Sequence, residues 1–153
     1  VSKQHRLLTI GYEGTTQALV LDALRQAGAR HLIDVRALPQ SRKPGFSKRL
    51  LAASLAEAGL RYTHLRGLGT PKAGRDAVRR GDVETMRRIY AAQLETPEAR
   101  HDLELARGIA GAEPACLLCF ERDHTHCHRD IVAHLICDDA SLPLVHLRAS
   151  LPS

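Results

Sequence analysis

Five short apolar runs, at residues 7–10, 31–35, 60–65, 115–118 and 144–147, recur along the chain between segments of helical spacing. Runs of that length bounded by turn residues read as strands rather than helices. The intervening segments carry helix signals. Thr15 or Thr16 can cap a helix whose apolar face is Leu19, Val20, Ala23, Leu24 and Ala27, with Gly28 as its stop. Ser47 opens a second helix, with Leu50, Leu51, Leu55 and Ala58 on one face and Gly59 at its end. Asp82 opens a third, carrying Met86, Ile89, Tyr90 and Leu94. Thr96-Pro97 is an N-cap followed by a proline at the first helical position, and this helix is predicted to reach about Ile109. A last helix starts at Arg129, and residues 67–74, GLGTPKAG, read as loop. Strands alternating with helices dictate a mainly parallel sheet covered on both faces. With right-handed crossovers, the fold class is α/β, a single-domain Rossmann-like three-layer sandwich over residues 1–153.

No apolar run approaches the roughly 20 residues of a membrane helix. The opening VSKQHRLLTI has no apolar signal-peptide core, so the expected location is cytoplasmic. In that reducing compartment Cys116, Cys119, Cys127 and Cys137 are expected to be buried, catalytic or metal-bound. Charge is unevenly spread. Residues 36–88 hold 13 Lys or Arg against 4 acids, so this middle carries +9 of a chain whose net charge is +5. A basic middle on a mildly acidic remainder points to an anionic partner such as a nucleotide or nucleic acid. Aromatic residues are only 3% of the chain, too few for a platform that stacks single strands.

Ligands of open parallel sheets bind beyond the carboxyl ends of the strands. Polar residues gather at those ends: Tyr12 and Glu13 after the first strand, Asp34 and Arg36 at the second, His64 at the third, Cys119 and Glu121 after the fourth. The stretch from Cys119 to Arg129 is the richest, with two cysteines, three histidines and several charged residues. It supports three chemistries. Cys119 or Cys127 could be a thiolate favoured by Arg122, Arg129 or His128, with Glu121 or His128 moving protons. Cys119, Cys127, His128 and His124 (or His126 in its place) could hold zinc, being the right ligand types at an unusual spacing. Cys116 is excluded from that set, because its spacing from Cys119 sends the two side chains to opposite faces of a strand. Finally, Arg36, Arg42, Lys43, Lys48 and Arg129 could grip phosphate, with Ser41 and helix N-termini adding donors. The segment 32–36, LIDVR, also resembles a strand of rhodanese and related phosphatase folds. The Cys-x5-Arg loop of those phosphatases is absent, since Thr125 and Ala133 stand at the arginine positions.

Several motifs occur together: TIGYEG, LIDVR with a following SRKPGFSK, Tyr62-x-His64 with Leu68-Gly69, and LLC-x-E leading to CHR. In combination the chain resembles the family catalogued as domain of unknown function 488, over a core of residues 9–147. The resemblance implies a small cytosolic bacterial or archaeal α/β domain and no established activity. Residues matching the family pattern are Gly11, Tyr12, Gly14, Asp34, Arg36, Pro39, Ser41, Gly45, Phe46, Leu68, Gly69, Cys119, Glu121, Cys127, His128 and Arg129; His124 and His126 are additions of this chain.

The resulting expectation is an enzyme acting on a phosphorylated ligand, a nucleotide or nucleic acid, at the carboxyl edge of the sheet. Glu121, His128, Cys119 and Asp34 are its candidate catalytic residues. Tyr12, Arg36, Ser41, Arg42, Lys43 and Arg129 are its candidate ligand-binding residues. No cofactor is required, although zinc fits the Cys/His set. The alternative is a non-catalytic nucleic-acid-binding or adaptor module whose Cys and His residues are structural. Asp34 within an apolar strand demands a partner, Arg36 or an arginine of the CHR segment. His134 and Cys137 are expected in the core, and His146 on a sheet surface.

Overall fold

The computed structural model describes residues 5–150. Its strands are β1 (Leu7–Gly11), β2 (His31–Asp34), β3 (Arg61–His64), β4 (Ala115–Cys119) and β5 (Leu144–His146), all parallel in the order β3-β2-β4-β1-β5. The helices are α1 (Gln17–Gln26), α2 (Lys48–Glu57), α3 (Lys72–Arg79), α4 (Val83–Leu94), α5 (Pro97–Ala112) and α6 (Arg129–Ala140). Every residue of β1, β2 and β4 is buried, because each strand is covered on both sides. Alternate side chains divide between two cores. Leu8, Ile10, Leu32, Cys116 and Leu118 pack with Val20 and Leu24 of α1 and Leu51 and Leu55 of α2. Leu7, Ile33, Leu117 and Cys119 pack with α4, α5 and α6 through Met86, Tyr90, Ala106, Ala110, Val132 and Ile136. The three-layer α/β architecture is the one the sequence predicts, and Cys116 and Cys119 do face opposite cores.

Topology positions the site. β1 and β4 pair directly, from Leu7 beside Ala115 to Gly11 beside Cys119. The helix that follows β1 packs on one face, and the helix that follows β4 packs on the other. A crevice therefore opens where these two strands end.

The predicted caps mostly form. Thr16, Asp82 and Thr96 accept hydrogen bonds from the amides of Leu19, Thr85 and Ala99. Ser47 stands at the N-cap of α2 but does not cap it; its hydroxyl turns back to accept from the Ser41 amide and donate to the Ser41 carbonyl. The loop expected through Gly74 ends earlier, since α3 begins at Lys72. Gly74 is there for close packing rather than for a turn: a Cβ would strike the Thr70 methyl and lie against Ile89 of α4. α5 runs through Gly108 and Gly111 to Ala112, beyond the expected Ile109. His134 is exposed rather than in the core, while Cys137 is buried there as expected.

Candidate functional site

The turn after β1 and the loop after β4 run side by side. The Tyr12 and Glu13 amides donate to the carbonyls of Cys119 (3.3 Å) and Phe120 (2.8 Å). Glu13 closes the pair by accepting from the Arg122 amide at 3.0 Å. Glycine at position 11 permits this approach, because a Cβ there would overlap the Glu121 carbonyl. Behind the loop lies Arg129, fully buried at the start of α6. Its guanidinium donates to Thr9 Oγ1 (3.2 Å), Cys119 Sγ (2.9 Å), the Arg122 carbonyl (3.2 Å) and the Glu121 carbonyl. One side chain thereby fastens β1, β4 and the loop together.

A second cluster closes the other flank. Asp34 is fully buried and accepts from the Arg36 amide, Nε and Nη2 and from the Tyr62 hydroxyl, at 2.6–3.1 Å. Arg36 Nη1 donates onward to the Tyr12 hydroxyl and the Phe46 carbonyl. This is the bidentate arginine–carboxylate pair that a buried acid demands, and Arg36 is the partner it takes. Arg129 is not part of it. The Phe46 ring stacks on Tyr12 at 4.3 Å, which ties the SRKPGFSK turn to the first strand end. His64 bonds the Arg36 carbonyl at 2.7 Å.

Between these flanks is a pocket of about 810 Å³. Tyr12, Arg36, Ser41, Cys119, Glu121 and His128 line it, so residues from three strand ends, the turn before α2 and the N-cap of α6 meet there. Asp34 lies beneath it, and Arg129 behind the wall of Cys119 and Glu121. Arg42 lines an adjoining open groove of about 1000 Å³ with Lys48 and Arg49, and the two cavities share Gln40 and Ser41. Lys43 lines neither cavity. Sequence reasoning missed Arg75 and Arg79, which reach the pocket from α3. Their i, i+4 spacing would have shown a shared helix face had the segment been read as helix.

Three groups in the pocket wall have distinct chemistry. Burial holds the Glu121 carboxyl above its usual range, against the opposing pull of the Arg129 guanidinium. Burial lowers His128 to about 4, and its Nε2 sits 2.7 Å from the Val35 carbonyl. The neutral imidazole therefore carries its proton on Nε2 and presents Nδ1 to Cys127 Sγ at 3.7 Å. Cys119 and Cys127 are joined as a disulfide, with Cα atoms 7.5 Å apart. The four residues considered for zinc are not gathered together. Among the described residues, Cys119 and Cys127 group with Glu121, whereas His124 groups with Asp130 and His146.

No helix among the described residues is long and apolar enough to cross a membrane. No curated protein and no solved structure matches the chain. The family model described as domain of unknown function DUF488 matches residues 16–136, from the cap of α1 into α6. That span takes in the Asp34–Arg36 pair, the SRKPGFSK turn and the whole Cys119–Arg129 loop, and the chain belongs to the DUF488 family.

Proposed function

We propose that this protein is an enzyme acting on a phosphorylated ligand, a nucleotide or nucleic acid, with Glu121 as its acid–base group. The observation that carries this reading is a half-buried carboxyl with a raised pKa, facing a pocket rimmed by Arg75 and Arg79. The groove of Arg42, Lys48 and Arg49 adjoins it, so an extended anion could run from groove to pocket. A protonated Glu121 would donate to the leaving oxygen of a phosphoester as its bond to phosphorus breaks. Water would form the new bond to phosphorus, and its proton would restore the carboxyl. Asp34, Arg36 and Arg129 act as positioning residues, since their hydrogen bonds are spent on the pocket walls. His128 belongs with them, its Nε2 proton being held by a carbonyl. Cys119 is the alternative reacting group once reduced, because its sulfur lies 2.9 Å from Arg129 Nη1.

The test is a panel of nucleotides and phosphodiesters assayed with wild type and Glu121→Gln. Loss of about 100-fold in kcat with ligand affinity retained is expected of the variant. Arg75→Ala with Arg79→Ala should instead weaken binding about tenfold. If wild type turns over nothing on the panel, yet binds duplex DNA as tightly as Glu121→Gln does, the non-catalytic module is the right reading.

A further inference from the structure

We propose that His124, Asp130 and His146, joined by His134, form a binding site for a divalent first-row transition metal such as zinc, outside the pocket. Three separate elements deliver these groups. His124 comes from the loop after β4, Asp130 and His134 from successive turns of α6, and His146 from β5. One ligand atom from each of His124, Asp130 and His146 lies within 4.8 Å of the others. Asp130 Oδ1 is the centre: His124 Nδ1 is 3.2 Å away, His146 Nε2 3.3 Å and His134 Nδ1 3.8 Å.

The arrangement presents several donor atoms to one point. Three imidazoles converge on one carboxylate oxygen, and the His124 and His146 rings stack at 3.5 Å. His146 turns its Nε2 toward this carboxylate. Its other nitrogen is already engaged. Thr9 Oγ1 lies 2.6 Å from His146 Nδ1 and accepts from Arg129 Nε on one lone pair. Its second lone pair can take an Nδ1 proton, which leaves a bare Nε2 facing the cluster. Two or three imidazoles with one carboxylate suit zinc and its neighbours rather than calcium or magnesium. All four side chains are only partly buried or exposed, so a metal would reach the site from solvent and keep a water ligand. The stacked rings must tilt apart to share one ion. Loading would fasten the loop that carries Glu121 to α6 and the edge strand, so the site would steady the pocket wall from behind.

Cobalt(II) and zinc titrations of chelator-treated, tag-free protein test this. One equivalent of cobalt should bind with a visible d–d absorption band, and zinc should displace it. His124→Gln and Asp130→Asn should each weaken binding about 100-fold, while Cys119→Ser with Cys127→Ser leaves it unchanged. His124 lies in a surface loop, so that variant remains informative if Asp130→Asn fails to fold. Absence of binding by folded wild type at 100-fold excess of metal over protein (about 1 mM), or binding lost with the cysteines and kept in His124→Gln, would overturn the site.

Discussion

Position 11 tolerates nothing larger than glycine, because the β4 loop carbonyl occupies the space of a Cβ. Gly11→Ala should therefore lose about 3 kcal/mol or more in urea denaturation, a magnitude typical of forced overlap in a packed core. It should also abolish the Glu121-dependent activity proposed above, since the displaced segment carries that residue. The Asp34 cluster gives a graded series. Tyr62→Phe removes one donor and should cost about 1–2 kcal/mol. Arg36→Met strands a fully buried carboxylate and should cost about 3–5 kcal/mol. Equal losses in the two variants would show that Asp34 is not held chiefly by the arginine.

Helix caps make a controlled comparison at the level of elements. Thr96→Ala removes an observed cap bond to the Ala99 amide and should cost about 1 kcal/mol in chemical denaturation. Ser47→Ala removes no cap bond, so its effect should appear in the Ser41 turn and in anion affinity instead. The same contrast separates what is legible in the sequence from what is not. β1, β2 and β4 were legible because burial on both faces leaves near-continuous apolar runs, broken only by Thr9, His31 and Asp34. Thr16, Asp82 and Thr96 were legible because capping is local chemistry. α3 was not, because Gly74 and Pro71 carry the signature of a loop while serving packing and an N-cap. Arg75 and Arg79 were lost with it. Asp34 could be paired with Arg36 from two-residue spacing, but Arg129's attachment to two loop carbonyls depends on contacts seven and eight residues away through a fold. The cluster of His124, Asp130 and His146 is longer-range still, since it closes only when β5 docks beside β1.

Over the whole molecule, buried histidine sets an acid limit. His128 titrates near 4 when folded and near 6.5 when unfolded, so the unfolded chain binds the proton first as pH falls. Its contribution, at most about 3 kcal/mol, is complete above pH 6.5 and is lost progressively toward pH 4. Thermal melts of wild type should fall across that window, and His128→Gln should flatten part of the fall, since His146, which burial lowers in the same way, contributes to the rest. A second whole-molecule property follows from Arg129. Among the described residues it donates to two carbonyls, a hydroxyl and a sulfur, and to no carboxylate. Its hydrogen bonds are thus all made to fixed dipoles, while Glu121, Asp123 and Asp130 act on its charge only through space, and no mobile ion can approach a fully buried group. The wall behind the pocket behaves as a permanent dopant in an insulator: a standing potential that neither physiological pH nor the ionic atmosphere erases, and one that would still act on the anion proposed above after the outer arginines have been screened.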